Sequence, residues 1–213
     1  MFKMTSPLGK ILSKLLDLFL LQIYFLLTSI PVFTIGAGVT AMFSVCRRIQ
    51  DEEQTAVTRE YFTAFKASFA QATVAWLVIG LAAALLGISI GYYYRLESMA
   101  RLVPMAVAGL LLVIDAALFI YLFPLMAWFD NSLKQHFRNA AILAAYHWKT
   151  TLLVSLLYAF TFLLAIRILP FLLLIAVSGC AFYANLLLRK VFVQYDSAVA
   201  EEPVCEFAEE IDK

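Results

Sequence analysis

With 213 residues, 63% of them hydrophobic and only 15% charged, the chain has a mean hydropathy of +0.87 and lies far outside the composition of soluble proteins. At about 20 apolar residues per crossing, the length allows about six passes through a bilayer and excludes a sizeable soluble domain beside them. A net charge of +1, with the basic residues scattered along the chain, excludes a nucleic-acid footprint. No alternating barrel pattern occurs, so every crossing must satisfy its own backbone as a helix. The composition therefore predicts an all-α, polytopic membrane helix bundle of five main apolar helices, with the lipid bilayer as its first partner. One membrane domain spans 1–195, and an acidic cytoplasmic tail spans 196–213.

Lys3, Lys10 and Lys14 ahead of a hydrophobic stretch look like a signal peptide. Asp17 interrupts that stretch and no A-x-A site follows, so a retained first helix is predicted. Its apolar part runs from 15 to 30, and a weaker arm follows from 34 to 46. Between them lies Thr28-Ser-Ile-Pro-Val-Phe-Thr-Ile-Gly-Ala-Gly-Val-Thr-Ala41, which sets a proline and two glycines inside an apolar run. Pro31 removes a backbone donor and clashes with the preceding turn, while Gly36 and Gly38 relax the chain further. The freed backbone groups need partners within protein, and Thr28, Ser29, Thr34 and Thr40 are placed to cap the freed amides. Two arrangements fit: a hairpin or re-entrant turn that sends the chain back, and one long kinked helix. The half-helix ends suit either an ion or anionic ligand, or a tight turn that serves packing alone.

After this break, 59–70 carries Phe62, Phe65 and Phe69 on one helical face and Arg59, Thr63 and Lys66 on the other, the pattern of an interfacial helix. The stretch 71–94 reads as a crossing helix, with Ala83, Gly87 and Gly91 forming a small-residue stripe for packing within the monomer. In the next crossing, 103–129, Asp115 falls near the middle, where a carboxylate costs about 2.5 to 3.5 kcal/mol on insertion scales. No Lys or Arg is available at that depth, which leaves Tyr24, Tyr158, Tyr183, Gln22 or Asn185 as its neighbours. Asp115 is thus a candidate proton or cation site, or an aspartate that bonds helices together.

The segment 130–148 predicts a second interfacial helix, with Leu133, Phe137, Ala141 and Ala144 on its apolar face, Lys134 and Arg138 one turn apart on a polar face, and Asp130 in reach of Lys134 at i+4. Crossings at 150–166 and 168–192 follow. If the chain turns back near Pro31, 13 of the 16 Lys and Arg residues fall on one side of the membrane; a single kinked crossing leaves 10 there. The positive-inside rule favours the hairpin, with both termini cytoplasmic in the cell membrane.

Chemistry-bearing motifs are sparse. Cys46, Cys180 and Cys205 form no CxxC pair, and His136 and His147 stand 11 residues apart, about 16 Å along a helix and too far to share a metal. Phosphate-binding, zinc-protease and nucleophile-elbow motifs do not occur. No catalytic residue, cofactor or metal is predicted, and an enzyme is not expected.

Four segments carry a resemblance. Ser29-Ile-Pro-Val-Phe-Thr-Ile-Gly-Ala-Gly38 with Thr40-Ala41, Phe65-Lys66-x-x-Phe69-x-Gln71, Tyr121-x-Phe-Pro-Leu-Met-Ala-Trp-Phe-Asp130, and Arg138-Asn139-Ala140 together resemble the YesL-like family of bacterial membrane proteins, a domain of unknown function. The similarity covers nearly the whole chain in order. It implies a small multi-pass inner-membrane protein whose genes often sit beside carbohydrate uptake and degradation systems, with no established activity. It singles out Pro31, Thr34, Gly36, Gly38, Asp130, Arg138 and Asn139. Many relatives carry proline where this chain has Ala37, and arginine where it has Trp128. The function expected from this resemblance is an accessory or interaction component that contacts a sugar transporter or other membrane protein. The alternative is a small secondary transporter or channel using Asp115 and the Pro31 to Gly38 break.

Overall fold

The computed structural model describes residues 7–51, 56–96, 99–167 and 173–201, and all the regular structure among them is helical. Helix α1 spans Pro7–Thr28, a 3-10 turn spans Val32–Thr34, and α2 spans Ile35–Gln50. Helix α3 spans Val57–Tyr94; a second 3-10 turn, Met99–Arg101, leads into α4, Leu102–Trp128. The chain ends in α5, Leu133–Tyr146, α6, Trp148–Arg167, and α7, Leu173–Glu201. Three stretches are long and apolar enough to cross a membrane: Val32–Gln50, Val57–Tyr94 and Leu102–Trp128. A fourth is added if α5 and the start of α6, which meet at 97°, count as one broken span. Five crossings are therefore not what the described helices establish. The last part of the acidic tail, with Cys205, lies outside the described residues, and α7 runs on through Asp196 to Glu201.

The largest departure from the sequence reading is α3. In place of an interfacial helix over 59–70 and a separate crossing over 71–94, one continuous helix of 38 residues runs through both. At 1.5 Å per residue it is about 57 Å long, nearly twice the thickness of a hydrocarbon core. Nothing in Val57–Tyr94 stops a helix, since it holds no proline and its glycines are isolated. Tertiary packing selects the buried face: Val57, Tyr61, Ala72, Ala75 and Ile79, rather than the phenylalanine row.

Helices α2 and α3 pack antiparallel, as Gly36 meets Ala72 and Trp76 at one end while Arg48 bridges to Glu60 at 2.9 Å at the other. The chain reverses again after Tyr94, where Arg101 donates to the Leu96 carbonyl at 2.5 Å, so α4 runs antiparallel to α3 and Phe119 meets Trp76 edge-on. The core lies where α1, α2, the first half of α3 and the last turns of α4 converge. Leu21, Ala41, Met42, Cys46, Tyr61, Tyr121, Phe123 and Leu125 are all buried there. Helix α7 closes this core with Ala184, Leu188 and Phe192.

Beyond that core, α3 and α4 continue as a two-helix arm. Its side chains are apolar and outward-facing: Leu81 is 63% exposed, Ile88 70%, Val103 71% and Leu110 62%. In water such a surface would be unstable, and its composition suits lipid.

Candidate functional site

The break is a real interruption of the helix. Helix α1 stops at Thr28, Pro31 is extended (φ −76°, ψ 111°), and α2 begins after one 3-10 turn. The loop tip presents Ile30, Val32 and Phe33 outward, whereas Thr34, Gly36 and Gly38 are buried. The threonine hydroxyls satisfy carbonyls rather than the amides predicted from sequence. Thr34 Oγ1 donates to the carbonyls of Thr28 and Pro31, the latter at 2.6 Å. Thr28 Oγ1 donates back to the Tyr24 carbonyl at 2.9 Å, so Tyr61, 2.6 Å away, supplies the proton of the bond they share. Thr40 Oγ1 donates to the Gly36 carbonyl at 3.0 Å. The physical reason is that ending α1 at Thr28 leaves its last carbonyls without intrahelical donors, while the 3-10 turn already uses the Thr34 amide.

Gly36 is required by contact. A Cβ there would collide with the Ala72 carbonyl oxygen and lie 2.6 Å from Trp76 Cβ and 3.0 Å from Phe123 Cε1. Gly38 is less constrained, with Phe25 Cδ2 at 3.2 Å from the same construction. The break thus lets α2 touch the α3 backbone and the Phe123 ring of α4.

Next to it, α2, α3 and the α4–α5 connection enclose an open cleft of about 580 Å³. Its polar lining is Thr40, Ser44, Ser68, Gln71, Asp130 and Asn131, with Ala64, Ala67 and Phe129 among the apolar residues. Of the four segments that carry the family resemblance, three contribute here, through Thr40, Gln71, Phe129 and Asp130. A second polar cluster ties α2 and α4 to α7. Trp128 Nε1 donates to Asn185 Oδ1 at 2.9 Å, Asn185 Nδ2 donates to Gln50 Oε1 at 3.1 Å, and Gln50 Nε2 donates to the Phe182 carbonyl at 2.7 Å. Arg47 stacks 4.2 Å from the centre of the Trp128 ring, so Trp128 offers an aromatic face that receives a cation from α2.

The structure separates several residues that the sequence grouped. Asp115 is half-buried on α4, two turns or about 12 Å from Phe123 beside the break. Its expected neighbours are engaged elsewhere: Tyr24 with Thr58, Gln22 with the Ser178 amide, and Asn185 with Trp128 and Gln50. Arg138 is exposed and Asn139 half-buried on α5, away from the cleft lining. The Asp130 to Lys134 ion pair is absent among the described residues. Helix α5 is capped instead by Ser132, whose amide donates to Gln135 Oε1 at 3.0 Å. Its buried face is His136, Ala140 and Leu143, one position round from the predicted row, and Ala141 is exposed. Among the described residues nothing packs on Gly87 or Gly91, since a Cβ at either meets nothing within 4 Å.

His136 has no sequence signature as a core residue, yet it is buried beneath the cleft mouth. Burial holds its imidazole below the ordinary range, against the Asn131 backbone and Asp130, both of which push it up. Ser68 and Ser44 were also missed, since isolated serines in an apolar helix carry no pattern. The signal that points to this cleft is the convergence of Thr40, Gln71 and Asp130 from three separate motifs.

Comparison with known proteins adds a family. Residues 18–90, which take in most of α1, the break, α2 and most of α3, match the family described as "Protein of unknown function, DUF624". The "Uncharacterized protein YteU" of Bacillus subtilis (strain 168) is 27% identical over 167 residues, covering 76% of this chain and 74% of that protein. No solved structure matches. The similarity is thus to an uncharacterised family with an all-helical, membrane-compatible chain, and it agrees at the family level with the resemblance read from the motifs.

Proposed function

We propose that this chain is a multi-pass membrane protein of the cell membrane that works as an accessory or interaction component beside a carbohydrate uptake system. The observation that carries this reading is the α3–α4 arm. Many of its apolar side chains and its glycine face meet no partner among the described residues, which suits them to lipid and to another membrane protein. Association with carbohydrate uptake comes from what the resemblance implies about the family. Orientation follows the positive-inside rule: Arg47, Arg48, Arg59, Arg189 and Lys190 gather at the end of the bundle opposite the turn that holds Arg95 and Arg101, and that end is read as cytoplasmic.

The test is affinity purification from native membranes in mild detergent. A specific sugar-transporter component should copurify with the protein. Recovery of none, together with proton-linked uptake in vesicles that Asp115→Asn abolishes, would replace this reading with that of a small secondary transporter.

A further inference from the structure

The cleft between α2, α3 and the α4–α5 connection has an unusual balance of hydrogen-bonding groups. Thr40 is 2% exposed and gives its hydroxyl proton to the Gly36 carbonyl at 3.0 Å. Ser68 gives its own to the Ala64 carbonyl at 2.9 Å. Each hydroxyl has one proton, so the capacity these two groups keep for a ligand is lone pairs. Ser44 adds a hydroxyl, Gln71 and Asn131 add an amide carbonyl oxygen and an NH2 each, and Asp130 adds a carboxylate with no ion pair among the described residues. No Lys or Arg lines the cleft. The site therefore carries one negative charge, holds more acceptor lone pairs than N–H and O–H donors, and lacks a cation of its own.

A ligand that completes this arrangement must bring a positive charge and several N–H donors in a small volume. An anion meets Asp130 and acceptor oxygens, and is rejected. A neutral polyol supplies donors and leaves the carboxylate uncompensated. A quaternary ammonium supplies charge without N–H groups and leaves the acceptors unpaired. A primary ammonium supplies three donors and one charge together.

We propose that this cleft binds a primary ammonium group, with Asp130 as its counter-ion and Thr40, Ser68, Gln71 and Asn131 as the surrounding acceptors. The group can arrive on a small soluble amine or on the headgroup of an aminophospholipid. The lipid source rests on the membrane reading above. It is supported by the position of the cleft, where the outward face of α3 changes from the mixed set Arg59, Thr63, Lys66 and Gln71 to the apolar set Val74, Leu77, Val78 and Leu81. Phe129 and the alanines give the methylene groups beside the ammonium an apolar wall.

The experiment uses the full chain in detergent and in lipid nanodiscs. In detergent, saturation-transfer NMR is recorded with ethanolamine, with its trimethylated form choline, and with ethylene glycol as the neutral counterpart. Ethanolamine should bind saturably, and choline and ethylene glycol should not. Asp130→Asn, at an exposed position that leaves the fold intact, should weaken ethanolamine by at least about tenfold. Gln71→Ala should weaken it less. In nanodiscs, native mass spectrometry should show phosphatidylethanolamine retained over phosphatidylcholine, with retention lost in Asp130→Asn, if the lipid is the source. Ethanolamine binding without lipid preference assigns the soluble amine. Absence of ethanolamine binding in a folded protein that also shows no lipid preference, equal binding of choline, or unchanged binding by Asp130→Asn would overturn the proposal. Alkaline carbonate extraction separates the two readings. Release of the protein from membranes defeats the membrane reading whatever the amine result, while retention with no amine binding defeats the ammonium site alone.

Discussion

Gly36 and Gly87 show how differently two halves of the molecule use the same residue. At Gly36, α2 meets the α3 backbone and the Phe123 ring of α4, and even one methyl group would collide with the Ala72 carbonyl. At Gly87, on the projecting part of α3, a methyl group would meet nothing within 4 Å. The first region is a packed core around the break, where the hydroxyls of Thr28, Thr34 and Thr40 bond neighbouring carbonyls. The second is an apolar arm whose outer face is exposed among the described residues. One glycine is fixed by the fold, and the other is free with respect to it.

The sharpest way to break this comparison is to add the methyl group at each position. Gly36→Ala should destabilise the protein by about 1 to 3 kcal/mol, because backbone rather than a flexible side chain must move. Gly87→Ala should change stability by less than about 1 kcal/mol, and in the stabilising direction, since alanine is the better helix former. Thermal unfolding in detergent measures both; equal effects would mean that the two regions are not distinct. Thr34→Val comes close behind. It keeps the shape and leaves the Thr28 and Pro31 carbonyls without the hydroxyl, at about 1 to 3 kcal/mol by the same measurement. Asn185→Leu should cost a similar amount through Trp128 Nε1 and Gln50, and loss of the shielded Trp128 fluorescence would report it.

Smaller effects sharpen the boundary of the core. The His136 imidazole is held below its ordinary value of 6.5 in the folded protein, mainly by burial. The unfolded chain then takes up the proton more readily. The stability contributed by neutral His136 is complete above pH 6.5 and is lost as the pH falls through the lower folded value. Unfolding midpoints recorded from pH 8 down to pH 5 should show that decline, and His136→Gln should flatten it. Glu60→Gln, which breaks the partly exposed pair with Arg48, should cost no more than about 1 kcal/mol after solvent screening. A larger loss would extend the tightly packed core to the α2–α3 connection.

Much of the candidate site was legible in residues, and little of it in arrangement. Pro31 and the glycines marked the break because proline and glycine act locally, whatever surrounds them. Thr40, Gln71 and Asp130 stood in the motifs, but no spacing rule brings residues from two different helices and a connection to one cleft. Asp115 drew attention by depth alone, and its packing left it apart from the break. The phenylalanines of 59–70 gave a sound helical period, but the interfacial helix read from them is the first part of the continuous helix Val57–Tyr94. Amphipathic pattern places a helix against something apolar without saying whether that is lipid or protein.

By itself the sequence determined that the chain is helical, apolar enough for a bilayer, and interrupted at Pro31 to Gly38. Those properties follow from hydropathy summed over windows and from backbone chemistry within a few residues. Only the tertiary structure decided that 57–94 is one unbroken helix, that the freed groups at the break are carbonyls held by Thr34, and that Gly36 rather than Gly87 is the point of close approach. Each of these depends on which surfaces meet across the bundle, and contact between helices distant in sequence is not written in the periodicity of any one of them.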